Sequence, residues 1–454
     1  VDMINEACAN FEKVIVVFNT AQTVEAGFLE EDSLYNTLKN YNIDASQIDA
    51  ALWMGLPGSS GAMALGRVLN GNVNPSGHTT DTWATDFTKT PSYYNFGSNN
   101  MKDGNRYLVK GSKADAFYTE YEEGIYVGYR YYETRGFTDG EEWYKNNVVY
   151  PFGYGKSYSD FSWTVKNCSI GDNAVLTGED EITVTVTVTN NGDYAGKDVV
   201  QLYFTAPYSP GGIEKSHVVL GDFVKTPLIP AGESRDVSLS MKVSDMKSYD
   251  YQGLNKSSFK GYILEAGDYS VSISYDAHTP CQTYGFNVAE DETYRKDAVT
   301  GYDVVNRYDD VSEHIEKYLS RNDWEGTMPT PPTDAEKEVS AQFIESLIWK
   351  KNDAGQPWEA TELPATNQPG EIKFTDMYGV DYNDEKWDEL LDQMSVGDMA
   401  MLIGKGAFST VNISSIGKMA TREFDGPSGW NSFMGNTGLR DTNCFYVAEC
   451  IMGA

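Results

Sequence analysis

The sequence predicts a multidomain chain: a layered α/β part first, an all-β sandwich next, and a further folded part at the end. Three observations carry this. Two short, continuous apolar runs near the start, residues 13–18 and 50–54, are each followed by a helical pattern, as buried parallel strands usually are. From Phe161 the hydrophobic period changes to two, most clearly over residues 182–189. After residue 291 the chain turns charged and then proline-rich, and folded pattern resumes only near residue 372. That stretch reads as a linker or crossing arm. The expected domains are therefore 1–160, 161–290, 291–375 (the arm) and 376–454.

Composition narrows the function classes. At roughly 100–200 residues per domain, 454 residues suggest two to four domains. A hydrophobic content of 40% and an aromatic content of 13% exclude global disorder. Lys and Arg number 35 against 67 Asp and Glu, a net charge of −32. Such a surface repels nucleic acid and anionic membranes and suits a neutral or cationic partner. The 31 Tyr and nine Trp suit both sugar stacking and β-cores, and the core is the first expectation. No apolar run approaches the length of a bilayer span.

Five scattered cysteines (Cys8, Cys168, Cys281, Cys444, Cys450) form no CxxC pair, and His78, His217, His278 and His314 lie far apart. Neither a disulfide scaffold nor a zinc site is expected, and no cofactor is implied. Reduced thiols favour the cytoplasm. The chain opens at Val1 with no charged and apolar leader pattern, so no signal peptide is expected.

Along the chain, residues 2–12 read as the end of a helix, and 29–40 and 59–69 as helices. Residues 13–18 and 50–54 read as fully buried strands, and 71–77 as a turn cluster. The first strands and helices of such a layer are expected to be absent. Residues 88–160 read as a loop-rich, aromatic segment laid over a neighbouring surface. Period-two strands are expected at 182–189, 198–204, 235–241 and 267–275, about seven in all, with Asn190-Asn-Gly192 as a hairpin turn. A helix is expected near 334–350, and an amphipathic one at 384–393. Ser395-Val-Gly-Asp398 reads as a capping box for a helix running to Ile403.

Four motifs coincide. Trp53-Met-Gly-Leu-Pro-Gly58, a following helix and Leu69-Asn-Gly-Asn-Val-Asn-Pro-Ser-Gly77 resemble the C-terminal α/β sandwich of glycoside hydrolase family 3. Tyr150-Pro-Phe-Gly-Tyr-Gly-Lys-Ser-Tyr158 resembles that family's link into its fibronectin type III-like domain. Asn190-Asn-Gly192 with Val199-Val-Gln-Leu-Tyr203 and Leu220-Gly-Asp-Phe223 resembles the body of that domain. Phe424-Asp-Gly-Pro-Ser-Gly429 resembles the D-G-P-x-G motif of the family's (β/α)8 barrel. The resemblance covers most of residues 1–290 and 376–430. It implies an α/β sandwich, a fibronectin type III-like sandwich and the first part of a barrel, with residues 421–424 as an early barrel strand, in the order of permuted family members and cut at both ends.

The resemblance implies a retaining β-glycosidase, with β-glucosides cleaved from their non-reducing ends as the expected reaction. Retention needs two carboxyl groups about 5 Å apart, one nucleophile and one acid/base. The family's nucleophile motif falls after D-G-P and its acid/base motif before the strand at residues 13–18, so neither catalytic carboxylate is expected within this chain. Two lookalikes are weak. Asn322-Asp323-Trp324 follows a polar stretch, and Glu122-Glu123-Gly124 is expected on a solvated loop. The resemblance assigns Asp425 to the hydroxyls of the innermost sugar, where an ionised carboxylate accepts two short bonds. An Asx-turn before Gly426-Pro427 is its alternative role. Arg130 is expected in a buried ion pair and Trp53 in the core, and Gly404-Lys-Gly406 lacks phosphate-loop spacing. Expected partners are a neutral β-linked sugar and the remainder of the barrel, in the same or another chain. The alternative function is a non-catalytic carbohydrate-binding or scaffolding protein.

Overall fold

A computed structural model describes residues 2–30, 43, 45–58, 61–94, 107–109, 116–118, 121–306, 317–331, 365–406 and 409–422. The expected helix near 334–350, most of the one at 29–40, and the Phe424-to-Gly429 motif with Asp425 lie outside these residues. Two compact units divide the chain: one reaches to Leu56 and resumes at Ala62, and the other begins after Leu347, with the turn Pro57–Gly61 counted in it.

In the first unit, helix α1 (Asp2–Asn10) leads into β1 (Ile15–Phe18), which pairs in parallel with β2 (Ala50–Trp53) from Ile15↔Ala50 to Phe18↔Trp53. The pairing matches the apolar runs, but full burial does not follow. Ile15 is 45% exposed, because the described layer here has two strands and covers one face. That face is aromatic: Phe18 and Trp53 lie 5.0 and 5.6 Å from the buried Trp83 ring, and Trp53 Nε1 donates to the Thr20 carbonyl (2.8 Å). Helix α2 (Ala62–Leu69) follows, with no buried residue among those described.

Strand β3 (Trp83–Ala84) precedes the hairpin β4 (Tyr107–Val109) and β5 (Ala116–Tyr118). The stretch expected to be loop then forms two helices, α3 (Tyr129–Asp139) and α4 (Glu141–Asn147), before β6 (Val148–Tyr150) pairs back onto β3. Periodicity hides them because the run is aromatic on several faces. Gly128 and Gly140, at φ +56° and +96°, turn the chain into each helix as only glycine does readily. Gly136 lets the helices meet, since a Cβ there would lie 2.6 Å from the Tyr144 ring. Tyr126, Tyr131, Tyr132 and Tyr144 are buried and form a core with Leu319 and Trp324.

The sandwich follows as β7 (Phe161–Cys168), β8 (Val175–Leu176), β9 (Glu181–Asn190), β10 (Val199–Thr205), β11 (Val219–Lys225) and β12 (Ser234–Lys242). It continues as β13 (Ser248–Asp250), β14 (Gly261–Leu264), β15 (Gly267–Ser274), β16 (Pro280–Val288) and β17 (Glu292–Tyr294). One sheet runs β11-β10-β15-β16-β8 and the facing one β12-β9-β7, with β13-β14-β17 as a third. In β9 the alternation works as expected: Val184, Val186 and Val188 are fully buried, while Thr185, Thr187 and Thr189 bond across to Ser238, Asp236 and Ser234 of β12. Asn190-Asn-Gly192 is not a hairpin turn. β9 and β10 lie in different sheets, and the segment is a crossover held by the buried Asn190 side chain. Its amide donates to the Tyr194 and Ile229 carbonyls (2.7 and 2.9 Å), and its oxygen accepts from Gly192 N.

The sandwich is fastened to the preceding part by two carboxamides. Asn74 uses all four of its hydrogen-bonding positions. It donates to Ser159 Oγ (3.1 Å) and the Ala195 carbonyl (3.2 Å), and accepts from Ser157 Oγ (2.8 Å) and Tyr158 N (2.7 Å). Buried Gln201 of β10 donates to the Gly153 and Tyr275 carbonyls (2.9 and 2.8 Å) and accepts from Tyr203 Oη (2.7 Å). Between them, Thr79 pins the link through Pro151 O and Tyr154 N.

After the sandwich, helix α5 (Trp324–Thr327) carries Trp324 into the aromatic core. The second unit holds α6 (Lys386–Asp392), α7 (Val396–Gly404) and the hairpin β18 (Ser409–Thr410) and β19 (Thr421–Arg422). Met377, Leu390, Met394, Ile413 and Ile416 form its core. The capping box is present: Ser395 Oγ accepts from Asp398 N, and Asp398 Oδ2 accepts from Ser395 N, both at 3.0 Å. Bonds from the Ser395 N–H and hydroxyl hold the Asp398 carboxyl below its ordinary range. Thr421 and Arg422 pair antiparallel with Thr410 and Ser409, whereas a barrel strand pairs in parallel. The described part of the expected strand is thus one arm of a hairpin.

Gly153 sits at φ +81°, and a Cβ there would lie 2.1 Å from Gln201 Oε1. Gly153→Ala should lower unfolding stability by about 2–4 kcal/mol, from backbone strain and stranded Gln201 bonds. Urea unfolding measures this, and a loss below about 0.5 kcal/mol, the scale of an uneventful surface change, contradicts it.

Candidate functional site

Helix α3 places Tyr131 and Arg135 four residues apart, on one face, and α4 sets Trp143 beside them. With Tyr94, Lys89 and the Met328-to-Pro331 segment they line a cleft of about 480 Å³. Arg135 is held on three sides. Its Nε donates to Asp139 Oδ2 (2.9 Å), Nη1 to Tyr131 Oη (2.8 Å) and Nη2 to Glu325 Oε1 (2.7 Å). The guanidinium lies 4.9 Å from the Trp143 ring centre, within cation–π range. Lys89 Nζ donates to Asn147 Oδ1 (3.3 Å), whose amide donates to the Trp143 carbonyl (2.6 Å). Among the described residues no carboxylate lines the cleft. It can hold a ring and donate hydrogen bonds, but it offers no acid/base pair.

A second cluster joins α3 and α4 to the sandwich. His278 Nδ1 meets Glu133 Oε2 at 2.8 Å and Nε2 meets Glu141 Oε2 at 3.2 Å, so the imidazolium form satisfies both contacts. Tyr144 donates to Glu133 Oε1 (2.5 Å), and its ring stacks on the imidazole at 3.7 Å. Burial opposes charge on both partners. It lifts the Glu133 pKa despite the bonds from His278 and Tyr144. On His278, burial is outweighed by Glu133 and Glu141, which raise its pKa.

The residues singled out from sequence separate here. Asp425 lies outside the described residues. Asp323 caps α5 by accepting from Gly326 N (2.9 Å). Glu123 is 4% exposed and so is not on a solvated loop. Arg130 is exposed, and the partly buried ion pair of that run belongs to Arg135, with Asp139. The cleft residues were missed, although Tyr131 and Arg135 at i, i+4 were a visible signal.

The glycosyl hydrolase family 3 C-terminal domain matches residues 1–129, and the fibronectin type III-like domain matches residues 198–277. The chain is 36% identical over 275 residues to β-glucosidase A of Butyrivibrio fibrisolvens, covering 59% of this chain and 28% of that protein. It is 29% identical over 279 residues to a β-glucosidase of Ruminococcus albus, covering 62% and 24%. Among solved structures, a β-glucosidase from Paenibacillus barengoltzii superposes at a TM-score of 0.56 with 26% identity, over 88% of this chain and 37% of that one. Over these regions the chain is similar to the β-glucosidases of glycoside hydrolase family 3, and it spans about a quarter of the length of the curated relatives. Among the described residues no helix is long and apolar enough to cross a membrane.

Burial lowers the His217 pKa to about 4, and Arg321 and His278 add to the effect. The folded state therefore resists protonating it, and stability is lost as pH falls from about 6.5 to about 4. Relative to wild type, His217→Gln should gain up to about 3 kcal/mol between pH 7 and pH 4. His278 runs the other way: its contribution is complete below pH 6.5 and is lost as pH rises through its raised pKa, so His278→Gln should flatten the alkaline limb. Chemical unfolding across pH checks both, and parallel curves for wild type and variants contradict them.

Proposed function

We propose that the chain is part of a retaining family 3 β-glycosidase that hydrolyses β-glucosides from their non-reducing ends. The observation that carries this is the match of the family 3 C-terminal domain, with 36% identity to a β-glucosidase over 275 residues. On this reading residues 376–454 begin a (β/α)8 barrel, and the remainder of it comes from the same or another chain. The two catalytic carboxylates lie outside these 454 residues. The lookalikes support that division, since Asp323 is spent on a helix cap and Glu123 is buried. Asp425 binds the hydroxyls of the innermost sugar.

A non-catalytic carbohydrate-binding role is the second reading. The aromatic cleft favours it, since its described lining offers rings and hydrogen-bond donors and no carboxylate.

The isolated chain should show no turnover of p-nitrophenyl β-glucoside, because double displacement needs both carboxylates. Turnover abolished by Asp323→Asn or Glu123→Gln overturns the division. In the complete enzyme, Asp425→Ala removes charge-assisted bonds worth about 1.5–3 kcal/mol each. The loss in kcat/KM should then be at least about tenfold to a hundredfold. A change within twofold makes Asp425 a turn residue only.

A further inference from the structure

The cleft beside Trp143 has a chemistry that the proposed hydrolysis leaves unused. We propose that it is a non-catalytic binding site for a neutral pyranose unit of a β-linked oligosaccharide. The proposal rests on the carbohydrate reading above and adds a site that the reaction does not require.

Arg135 supplies the first argument. A guanidinium carries five N–H donors in a rigid plane. Three are spent on Asp139, Tyr131 and Glu325, which leaves two, one on each terminal nitrogen, on a side chain that lines the cleft. Two donors at that spacing suit a pair of neighbouring acceptors, such as the vicinal hydroxyls of a pyranose. The side chain is already held by three bonds, so little conformational freedom is lost when the ligand arrives.

The walls supply the second. Tyr94 and Trp143 bring two partly exposed rings to one opening, which Pro329 and Pro331 also line. Rigid apolar walls with a few fixed polar groups are the usual build of a small-molecule site, and 480 Å³ falls within the roughly 300–1,000 Å³ of such sites. Planar rings cover the C–H face of a sugar while its hydroxyls remain free to bond.

Charge supplies the third. Arg135 and Lys89 are the charged side chains of the lining, and Arg135 is already paired with Asp139 and Glu325. An anion would also meet the field of a chain at −32, and a cation would find no carboxylate in the described lining. A neutral polyol costs no unbalanced charge.

The test is calorimetric titration of the full chain with cellotetraose. Binding is expected, and Arg135→Lys should weaken it at least tenfold, because lysine keeps the charge and loses the fork. Tyr94→Ala should weaken it as well, with the thermal midpoint kept as the check on folding. Absence of binding, or binding unchanged in both variants, overturns the proposal. Tighter binding of glucuronic acid than of glucose overturns the neutral-ligand assignment. If Asp425→Ala abolishes binding while both cleft variants retain it, the sugar sits at the D-G-P motif: this proposal then fails and the glycosidase reading stands. Loss of kcat/KM in the Asp425→Ala variant of the complete enzyme is a separate readout, so failure of that reading is seen independently of the titration.

Discussion

The Asn74 carboxamide fixes the geometry on which the first unit depends. It gathers the link at Ser157–Ser159 and the Ala195 carbonyl of the sandwich onto one side chain and spends every donor and acceptor it has. Close approach is part of the constraint, since a Cβ on Gly196 would lie 2.6 Å from Asn74 Nδ2. A fully satisfied amide is worth more than its separate bonds, because removing it strands several partners at once. With Gln201 repeating the arrangement at Gly153, the junction has one register. The helices that follow the α/β layer can then be placed against the sandwich.

That placement explains the aromatic excess. The tyrosines of α3 and its approach do not form a decorative surface. Tyr126, Tyr131, Tyr132 and Tyr144 fill the space between the helices, with Trp324 returned to them from far along the chain. Tyr126 and Trp324 meet edge to face at 4.9 Å, a favourable geometry for ring quadrupoles. Phenols also let a core carry polar work. Tyr126 donates to Glu214, Tyr131 accepts from Arg135, and Tyr144 donates to Glu133. Phenylalanine would fill the same volume and cost each of these charged groups one partner. The cleft opens where this core reaches the surface, and for that reason its walls are rigid.

Local pattern carried much of the fold. The period of two in β9 set which residues face the core, because a strand alternates its side chains strictly. The Ser395 and Asp398 spacing set the start of α7, because a cap needs only four neighbouring residues. The hairpin expected at Asn190-Asn-Gly192 failed for a complementary reason. The same turn-forming residues serve a crossover, and partners on β7 and β12 rather than β10 decide between the two.

By itself the sequence determined what depends on neighbours along the chain: the parallel apolar runs, the sandwich strands, the cap, and the motifs that resemble those of family 3. The tertiary structure decided what depends on residues far apart in number. Glu133 and His278 are separated by 145 positions, and Arg135 and Glu325 by 190. No periodicity links such pairs, so neither the His278 clasp nor the Arg135 cleft could be read from spacing. Arg130 and Arg135 show the same limit on a small scale. Both lie in one aromatic helix, and only packing chose which of them turned inward, because helix α3 buries the face that α4 and Trp324 cover.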